Sequence, residues 1–377
     1  MKLLIGGSPC TNWSIARKQG RETEPEGQGW ELFQNYKIAL EKFRPEYFLY
    51  ENNNSISAAI KKRITAELGV EPIMINSALV SAQSRKRVYW TNIPGVRQPE
   101  DRGVVVRDIL ESGIPLTEKA YTLKANYIHT NEVNALDYDH FPAPMAAEPV
   151  RIGTIESGTQ TNHDSKPFRV YSPDGKSVTI SSTDGGTGSG TGLYAVPIDP
   201  NFGEFKATIT FDEEGQMTAE IGGRARVIYE VRGGRITVKG KQLKANLADG
   251  LYIIRRLTVL ECKRLQTVPD SYIFPVSDTQ AYRQLGNGWT VDVIAHILSF
   301  CPGITEKPLE VLSMYDGMSC GRLALDKLGA SVAAYWATEI DKYAIQTTQA
   351  NFPDTVQLGD AFQVREDGWK PWEGVKQ

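Results

Sequence analysis

The chain has 377 residues, 41% hydrophobic and 23% charged, with a formal net charge of −3. That balance suits one elaborated globular domain or two, and excludes a disordered scaffold, whose apolar content would not offset the entropy of ordering. No apolar run approaches the ~18 residues that crossing a bilayer needs, and Met1–Gly7 is read as lacking a secretory leader. Four cysteines, Cys10, Cys262, Cys301 and Cys320, stand far apart with no CxxC pair. That spacing suggests reduced thiols in a cytoplasm rather than zinc ligands or a disulfide framework, and no metal is expected.

Residues 1 to about 95 read as alternating strands and helices. Lys2–Gly6 is a short apolar strand, and Trp30, Phe33, Tyr36, Leu40 and Phe43 recur at helical spacing until Pro45. Tyr47–Tyr50 and Ile73–Ile75 are further strands, which predicts a parallel α/β sheet. From about 96 to 250 Gly, Ser and Thr become frequent. Short β-like runs (Val178–Ile180, Ala207–Thr210, Val227–Tyr229) alternate with turns at Asp174-Gly175, Asp184–Gly190 and Gly233-Gly234, predicting a loop-rich, mostly β module. From about 257 the α/β texture returns, with a helix at Val291–Phe300 and strands at Glu310–Met314, Ala333–Thr338 and Val356–Leu358. Helices are predicted between these strands, at Arg322–Leu328 and Tyr343–Asn351.

The turn after the Glu310–Met314 strand, Tyr315-Asp316-Gly317-Met318-Ser319-Cys320, lets a small ligand approach backbone and a helix N-terminus. Glu339 follows Gly317 by 22 residues at the end of the next strand, where an acid can accept hydrogen bonds from both ribose hydroxyls of an adenosine-containing cofactor. The turn is not GxGxxG, so the spacing suits S-adenosylmethionine better than a dinucleotide. Asp360, ending the third strand, is placed to meet the adenine amino group.

Cys10 follows the first strand, Glu51-Asn52 another, and Gln83-Ser84-Arg85-Lys86-Arg87 adjoins a third. Singly these are a packed thiol, a capping acid and a basic edge. Together, each at the C-terminal edge of a predicted parallel strand, they place a thiol, a carboxylate and two guanidinium groups in one crevice. Carbon 5 of a pyrimidine attacks a sulfonium methyl only after a thiolate adds at carbon 6. Glu51, near N3 and the 4-amino group, would stabilise the incoming electrons. Arg85 and Arg87 would hold the base and its phosphate and lower the thiol pKa. The base must leave its helix to be reached, which requires a DNA-reading module and predicts a mobile loop after Cys10.

These residues resemble the C5-cytosine DNA methyltransferase family. Ser8-Pro9-Cys10 is similar to its nucleophile motif, Glu51-Asn52 to its Glu-Asn-Val motif, and Gln83-x-Arg85-x-Arg87 to its QxRxR motif. Arg256-Leu257-Thr258 through Pro269-Asp270 resembles the segment closing the target-recognition domain, and Gln284–Gly288 the Gly-Asn-Ser segment. The resemblance implies a Rossmann-like α/β methyltransferase sheet formed by 1–95 and 257–377, with a smaller, mostly β target-recognition domain (96–256) inserted. It implies Cys10, Glu51, Arg85 and Arg87 as catalytic residues. Pro9, Asn287, Gly288, Tyr315, Asp316, Gly317, Met318, Ser319, Cys320, Glu339, Ile340 and Asp360 would hold the cofactor. Most family members place the cofactor turn before the nucleophile; the reverse order here suggests a circularly permuted chain. Asp316-Gly317 in the cofactor turn resembles the de novo methyltransferase subclass and phage-encoded members, and Arg169–Ser172 and Gly175–Thr179 resemble phage-type members.

Nine lysines or arginines and two acids lie between Arg224 and Arg256, the footprint of a polyanion partner or of a solvated hairpin. Duplex DNA is the expected partner, met by Gln83, Ser84, Arg224, Arg226, Arg232, Arg235 and Lys239, with the enzyme a monomer in the cytoplasm of a bacterial or phage-infected cell. Asn53, Gly288 and Tyr315 replace the usual Val, Ser and Phe, and Thr11-Asn12-Trp13 a Gln-containing run. Neutral drift explains such changes; alternatively the donor is a carboxylated S-adenosylmethionine. Competing readings are a non-catalytic DNA-binding relative, disfavoured by retention of Cys10 and Glu51, and a redox enzyme, disfavoured by the missing GxGxxG. An RNA-directed relative is the third.

Overall fold

The computed structural model describes residues 1–14, 19–111 and 258–367, together with the backbone of the strands and tight turns between 151 and 255. The chain opens with β1 (Lys2–Gly6), α1 (Gly27–Phe43), β2 (Tyr47–Asn53), α2 (Ala58–Leu68), β3 (Ile73–Asn76) and β4 (Lys86–Thr91). Arg44 stops α1 in the left-handed region at φ 50°, one residue before a proline that could not continue the helix. Ser57 caps α2 by accepting from Ile60 N, supplying an acceptor that a helix start otherwise lacks.

Nine strands of the middle segment follow: β5 (Arg151–Thr154), β6 (Arg169–Tyr171), β7 (Leu193–Pro197), β8 (Ile209–Phe211), β9 (Met217–Ile221), β10 (Arg224–Arg232), β11 (Arg235–Val238), β12 (Lys241–Lys244) and β13 (Gly250–Arg255). Helices α3 (Val259–Leu265), α4 (Asp278–Asn287) and α5 (Val291–Ser299) come next. Then follow β14 (Leu309–Met314), α6 (Cys320–Lys327), β15 (Val332–Thr338), α7 (Lys342–Asn351) and β16 (Val356–Gly359).

The α/β segments from both ends of the chain build one seven-stranded sheet, in the order β16-β15-β14-β1-β2-β4-β3. The first five are parallel neighbours, and β4 is antiparallel to both β2 and β3. Gln83–Arg87 precedes a strand, as expected, but that strand is antiparallel to its neighbours rather than parallel. The motif runs into the start of an antiparallel strand, and for that reason lies at the same sheet edge as the C-terminal ends of β1 and β2. On one face Phe33 and Tyr36 of α1 pack with Tyr50, Trp90 and Leu312 of the sheet in a single apolar cluster. The side chains of these helix residues follow the 3.6-residue period that the sequence displays.

The chain divides into two compact units: Met1–Val80, Arg85–Arg102 and Gln266–Gln377 in one, Ser81–Ser84 and Gly103–Leu265 in the other. The borders lie at 102/103 and 265/266, against the expected 95/96 and 256/257, and Ser81–Ser84 falls in the second unit. Gln98 donates to Met74 O (2.6 Å) and Arg102 N to Leu79 O (2.8 Å), tying 96–102 to the sheet unit. Conversely, Glu261 accepts from Glu111 N (3.0 Å) and Arg264 donates to Ile109 O (3.2 Å), tying α3 to the second unit.

In the second unit β12-β11-β10-β13-β7-β6-β5 form a sheet, with β9 and then β8 continuing from β10. The β10–β11 connection is Gly233-Gly234 at φ 55° and 69°. Both central residues are thus left-handed, the geometry that two-residue hairpins demand and glycine alone adopts without strain. Asp174-Gly175, Val178–Ile180 and Asp184–Gly190 lie outside the described residues.

Candidate active site

The parallel strands end in a cavity of about 570 Å³, lined entirely by the sheet unit. Three chain segments carrying sequence motifs meet there. From β1 come Gly7, Ser8 and Pro9; from β2, Glu51; from the start of β4, Arg85 and Arg87. The Ser8 turn is fixed by β2: Ser8 Oγ shares a hydrogen bond with Tyr50 OH (2.6 Å), and Asn52 Nδ2 donates to Ser8 O (3.2 Å). Cys10 opens a 3-10 turn, Cys10–Asn12, between Pro9 and Thr11, which both line the cavity; its side chain lies outside the described residues.

The segment after Cys10 is anchored where it is described. Trp13 is fully buried, and its Nε1 donates to Glu22 Oε2 (2.9 Å), a carboxylate that also accepts from Gly29 N (3.0 Å) in the first turn of α1. An anion there satisfies a helix N–H that has no intrahelical partner. The loop expected to be mobile is thus pinned at 11–14 and 21–22, and residues 15–18 lie outside the described residues.

Glu51 is 7% exposed and held on both oxygens. Arg87 Nε reaches Oε1 at 2.9 Å; Arg87 pairs with Asn53 across β2–β4, so Glu51 sits on the diagonal that long side chains span. Trp289 Nε1 donates to Oε2 at 3.0 Å. Gly7 makes the third wall, since a Cβ there would stand 2.8 Å from Glu51 Oε2 and 2.9 Å from Glu51 O. Only glycine allows β1 to end so close to that carboxylate.

Arg85 serves the backbone. It is 3% exposed, and its Nη2 donates to Gly286 O and Gly288 O, both at 3.1 Å. Asn287, Gly288 and Trp289 continue the cavity wall. Trp289 was missed in the sequence because only the spacing of Gly-Asn was matched and the next residue had no motif. Gln284 opens the matched Gln284–Gly288 segment but was given no role: it lines the cavity, is 6% exposed, and neither its Oε1 nor its Nε2 has a hydrogen-bond partner.

On the far side, the turn after β14 is unusual backbone. Tyr315, Gly317 and Ser319 all have positive φ, at 61°, 59° and 56°, a conformation that costs the two non-glycine residues free energy. Side chains hold it: Asp316 accepts from Tyr335 OH (2.8 Å) and from Ser319 Oγ. Burial raises the Asp316 carboxyl above its ordinary range, opposed by these donors. Glu339 accepts from Gly317 N on Oε2 and from Ile340 N and Asp341 N on Oε1, all at 2.8 Å. Its carboxyl too is raised, again chiefly by burial. Burial pushes the Cys320 thiol up to about 12, so it stays a neutral wall atom.

Tyr315, Asp316, Gly317, Met318, Cys320, Glu339, Ile340 and Asp360 all line the cavity, and Ile340 is 70% exposed there, an apolar side chain open at its rim. Ser319 does not line it. It is fully buried with its hydroxyl on Asp316 and Thr348, so its expected ligand role is corrected to holding the turn.

The expected nucleic-acid residues fare differently. Gln83 and Ser84 are corrected: they are 0% and 3% exposed, and Gln83 Nε2 donates inward to Leu265 O (3.4 Å). A fully buried amide offers nothing to a duplex. Arg232 and Arg235 are exposed and face each other across the β10–β11 hairpin, with Glu230 2.6 Å from Arg232. The side chains of Arg224 and Arg226, and the whole of Lys239, lie outside the described residues.

The departures from the family pattern have local explanations. Asn53 points into its own turn, its Oδ1 accepting from Ser55 N at 2.9 Å, and it does not line the cavity. The Tyr315 hydroxyl donates to Leu32 O of α1 (2.6 Å). At Gly288 a Cβ would lie 3.1 Å from Cys320 Sγ and 3.1 Å from Gln284 O, so the thiol occupies the space a serine would need.

The sequence profile of C-5 cytosine-specific DNA methylases matches residues 1–301. Among curated relatives, the type II methyltransferase M.HpaII of Haemophilus parainfluenzae is 26% identical over 319 residues, covering 78% of this chain and 69% of that one. M.Bpa9945I of Bacillus paralicheniformis is 25% identical, covering 76% and 66%. The orphan methyltransferase M.SPRI of Bacillus phage SPR is 25% identical, covering 78% and 81%.

Proposed function

This chain belongs to the C-5 cytosine-specific DNA methylase family, and from that premise we propose that it transfers a methyl group from S-adenosylmethionine to carbon 5 of a cytosine turned out of duplex DNA. The observation that carries this reading is the Glu51 carboxylate, gripped by Arg87 and Trp289 at the floor of a cavity whose rim carries Pro9 and Thr11 on either side of Cys10. The covalent step through Cys10 follows the family pattern, with Ser8-Pro9-Cys10 in the place of the nucleophile motif.

In this reading the Cys10 thiolate adds to carbon 6 of the ring. The electron pair displaced from the 5,6 double bond is taken up toward N3, where Glu51 delivers a proton. Carbon 5 then takes the methyl group, a base removes the carbon 5 proton, the cysteine leaves with the double bond restored, and the N3 proton returns to Glu51. Asn52 and Tyr50 fix the Ser8 turn that leads into Cys10. Arg87 holds Glu51, and Arg85 is reassigned from the base to the wall that carries Trp289.

S-adenosylmethionine, when bound, supplies a sulfonium methyl. The residues present fit it: Glu339 Oε2, which accepts one hydrogen bond, keeps a lone pair for a ribose hydroxyl, Asp360 and Ile340 would stand toward the adenine, and the orphaned Gln284 amide would offer a donor and an acceptor to the amino-acid carboxylate and ammonium. An unsatisfied buried amide costs stability until a ligand meets it. Gln284→Leu is therefore expected to raise the melting temperature of the unliganded protein while weakening S-adenosylmethionine binding roughly 10-fold or more, read by calorimetry. An unchanged Kd would remove Gln284 from the site. The observations do not support a carboxylated donor.

The strand order supports a circularly permuted chain: β14–β16 come last and lie outside the matched stretch, yet β14 pairs with β1 at the sheet centre. We assign the second unit to target recognition, with the Arg232–Arg235 hairpin tip as its phosphate-facing surface. No described helix is long and apolar enough to cross a membrane, and we assign the enzyme, acting as a monomer, to the cytoplasm with its DNA. Mass spectrometry of nucleosides from duplex DNA incubated with enzyme and S-adenosylmethionine tests the reading. 5-Methyldeoxycytidine is expected; unmodified DNA would refute it.

A further inference from the structure

Arg87 accounts for one oxygen of Glu51; the other is taken by a residue outside every motif. Trp289 Nε1 donates to Glu51 Oε2 at 3.0 Å. Building on the reading above, we propose that Trp289 is a positioning residue: its indole N–H holds the Glu51 carboxylate at the angle from which it meets the ring of the extruded cytosine.

The contact has properties that chance proximity would lack. An indole N–H only donates and does not titrate at any accessible pH, so it fixes an acceptor oxygen whatever the protonation of its surroundings. Its geometry is over-determined. Gly288 O, one residue before Trp289, accepts from Arg85 Nη2 (3.1 Å) and from Gln266 Nε2 (3.3 Å). Gln266 Nε2 also donates to Leu285 O (2.7 Å), and Thr290 Oγ1, one residue after, donates to Gln266 Oε1 (2.8 Å). The backbone on both sides of Trp289 is thus fastened to buried side chains. Across the carboxylate, Gly7 leaves no slack: a Cβ there would stand 2.8 Å from Glu51 Oε2 and 3.4 Å from Trp289 Nε1.

Both arginines of Gln-x-Arg-x-Arg therefore end on the same carboxylate, Arg87 directly and Arg85 through the backbone that carries Trp289. Two donors on two oxygens fix the carboxyl plane, which one ion pair would leave free to rotate. A group that must meet ring N3 in one orientation gains from that, because misplacement by ~1 Å can cost ~10²-fold in rate.

The test is Trp289→Phe in two backgrounds, native and Glu51→Gln, measured as single-turnover methylation of duplex DNA across pH. In the native background the rate is expected to fall about 10- to 100-fold. In the Glu51→Gln background the same change should cost less than about twofold, because Trp289 acts through Glu51. Equal losses in both backgrounds, the signature of a general packing or folding defect, would overturn the assignment. An unaffected rate would overturn it as well. A native enzyme that transfers no methyl group would overturn this proposal and the functional reading together, whereas an active native enzyme beside an unaffected Trp289→Phe overturns only the proposal.

Discussion

Cys10→Ser is expected to abolish methyl transfer while duplex binding survives. A serine hydroxyl is far less acidic than a thiol and a poorer nucleophile toward carbon 6, so the ring is never activated for attack on the methyl group. Binding should persist because the substitution removes no charge and leaves the Ser8 turn tied to Tyr50 and Asn52. The complementary experiment uses DNA carrying 5-fluorocytosine at the target. Fluorine at carbon 5 cannot depart as a proton does, so the native enzyme should remain bonded to the strand and migrate with it on a denaturing gel. The serine variant should leave no such band. Methyl transfer by Cys10→Ser would remove Cys10 from the chemistry.

Glu51→Gln is the second large effect. An amide cannot deliver the proton, and general acid–base contributions are typically ~10²–10⁴-fold, so the single-turnover rate should fall by that amount. The geometry adds a further reason. Both Glu51 oxygens now face donors, Arg87 Nε at 2.9 Å and Trp289 Nε1 at 3.0 Å. A glutamine has only one acceptor oxygen, so its NH2 must confront one of those donors. Affinities for DNA and S-adenosylmethionine should change little, because the cofactor turn is fixed by Asp316 and Glu339, which do not contact Glu51. A variant that transfers at the native rate would contradict the role of Glu51.

The local elements were legible because each obeys a short-range rule. Strand Lys2–Gly6 is an apolar run, α1 carries its aromatic residues at helical spacing before Pro45, and Gly233-Gly234 suits the type I′ hairpin turn, with positive φ at both residues. The motif residues Glu51, Glu339 and Asp360 were likewise readable as groups at the ends of parallel strands, and all three line the cavity.

Direction and burial were not readable. That β4 runs antiparallel is a matter of long-range pairing, with Asn53 opposite Arg87, and no residue in Gln83–Arg87 encodes it. The same motif supplies a buried amide at Gln83, a backbone clamp at Arg85 and an ion pair at Arg87. Three similar polar residues acquire three roles from what the fold sets against each. Trp289 and Gln284 show the limit from the other side, since their importance arises from partners 238 residues away in one case and from the lack of one in the other. Sequence by itself determined which groups the chain brings and which sheet edge they reach, because strand and helix periods are local. Only the tertiary structure decided which donor faces which acceptor, because a hydrogen bond depends on ångström-scale placement of atoms that the chain order keeps far apart.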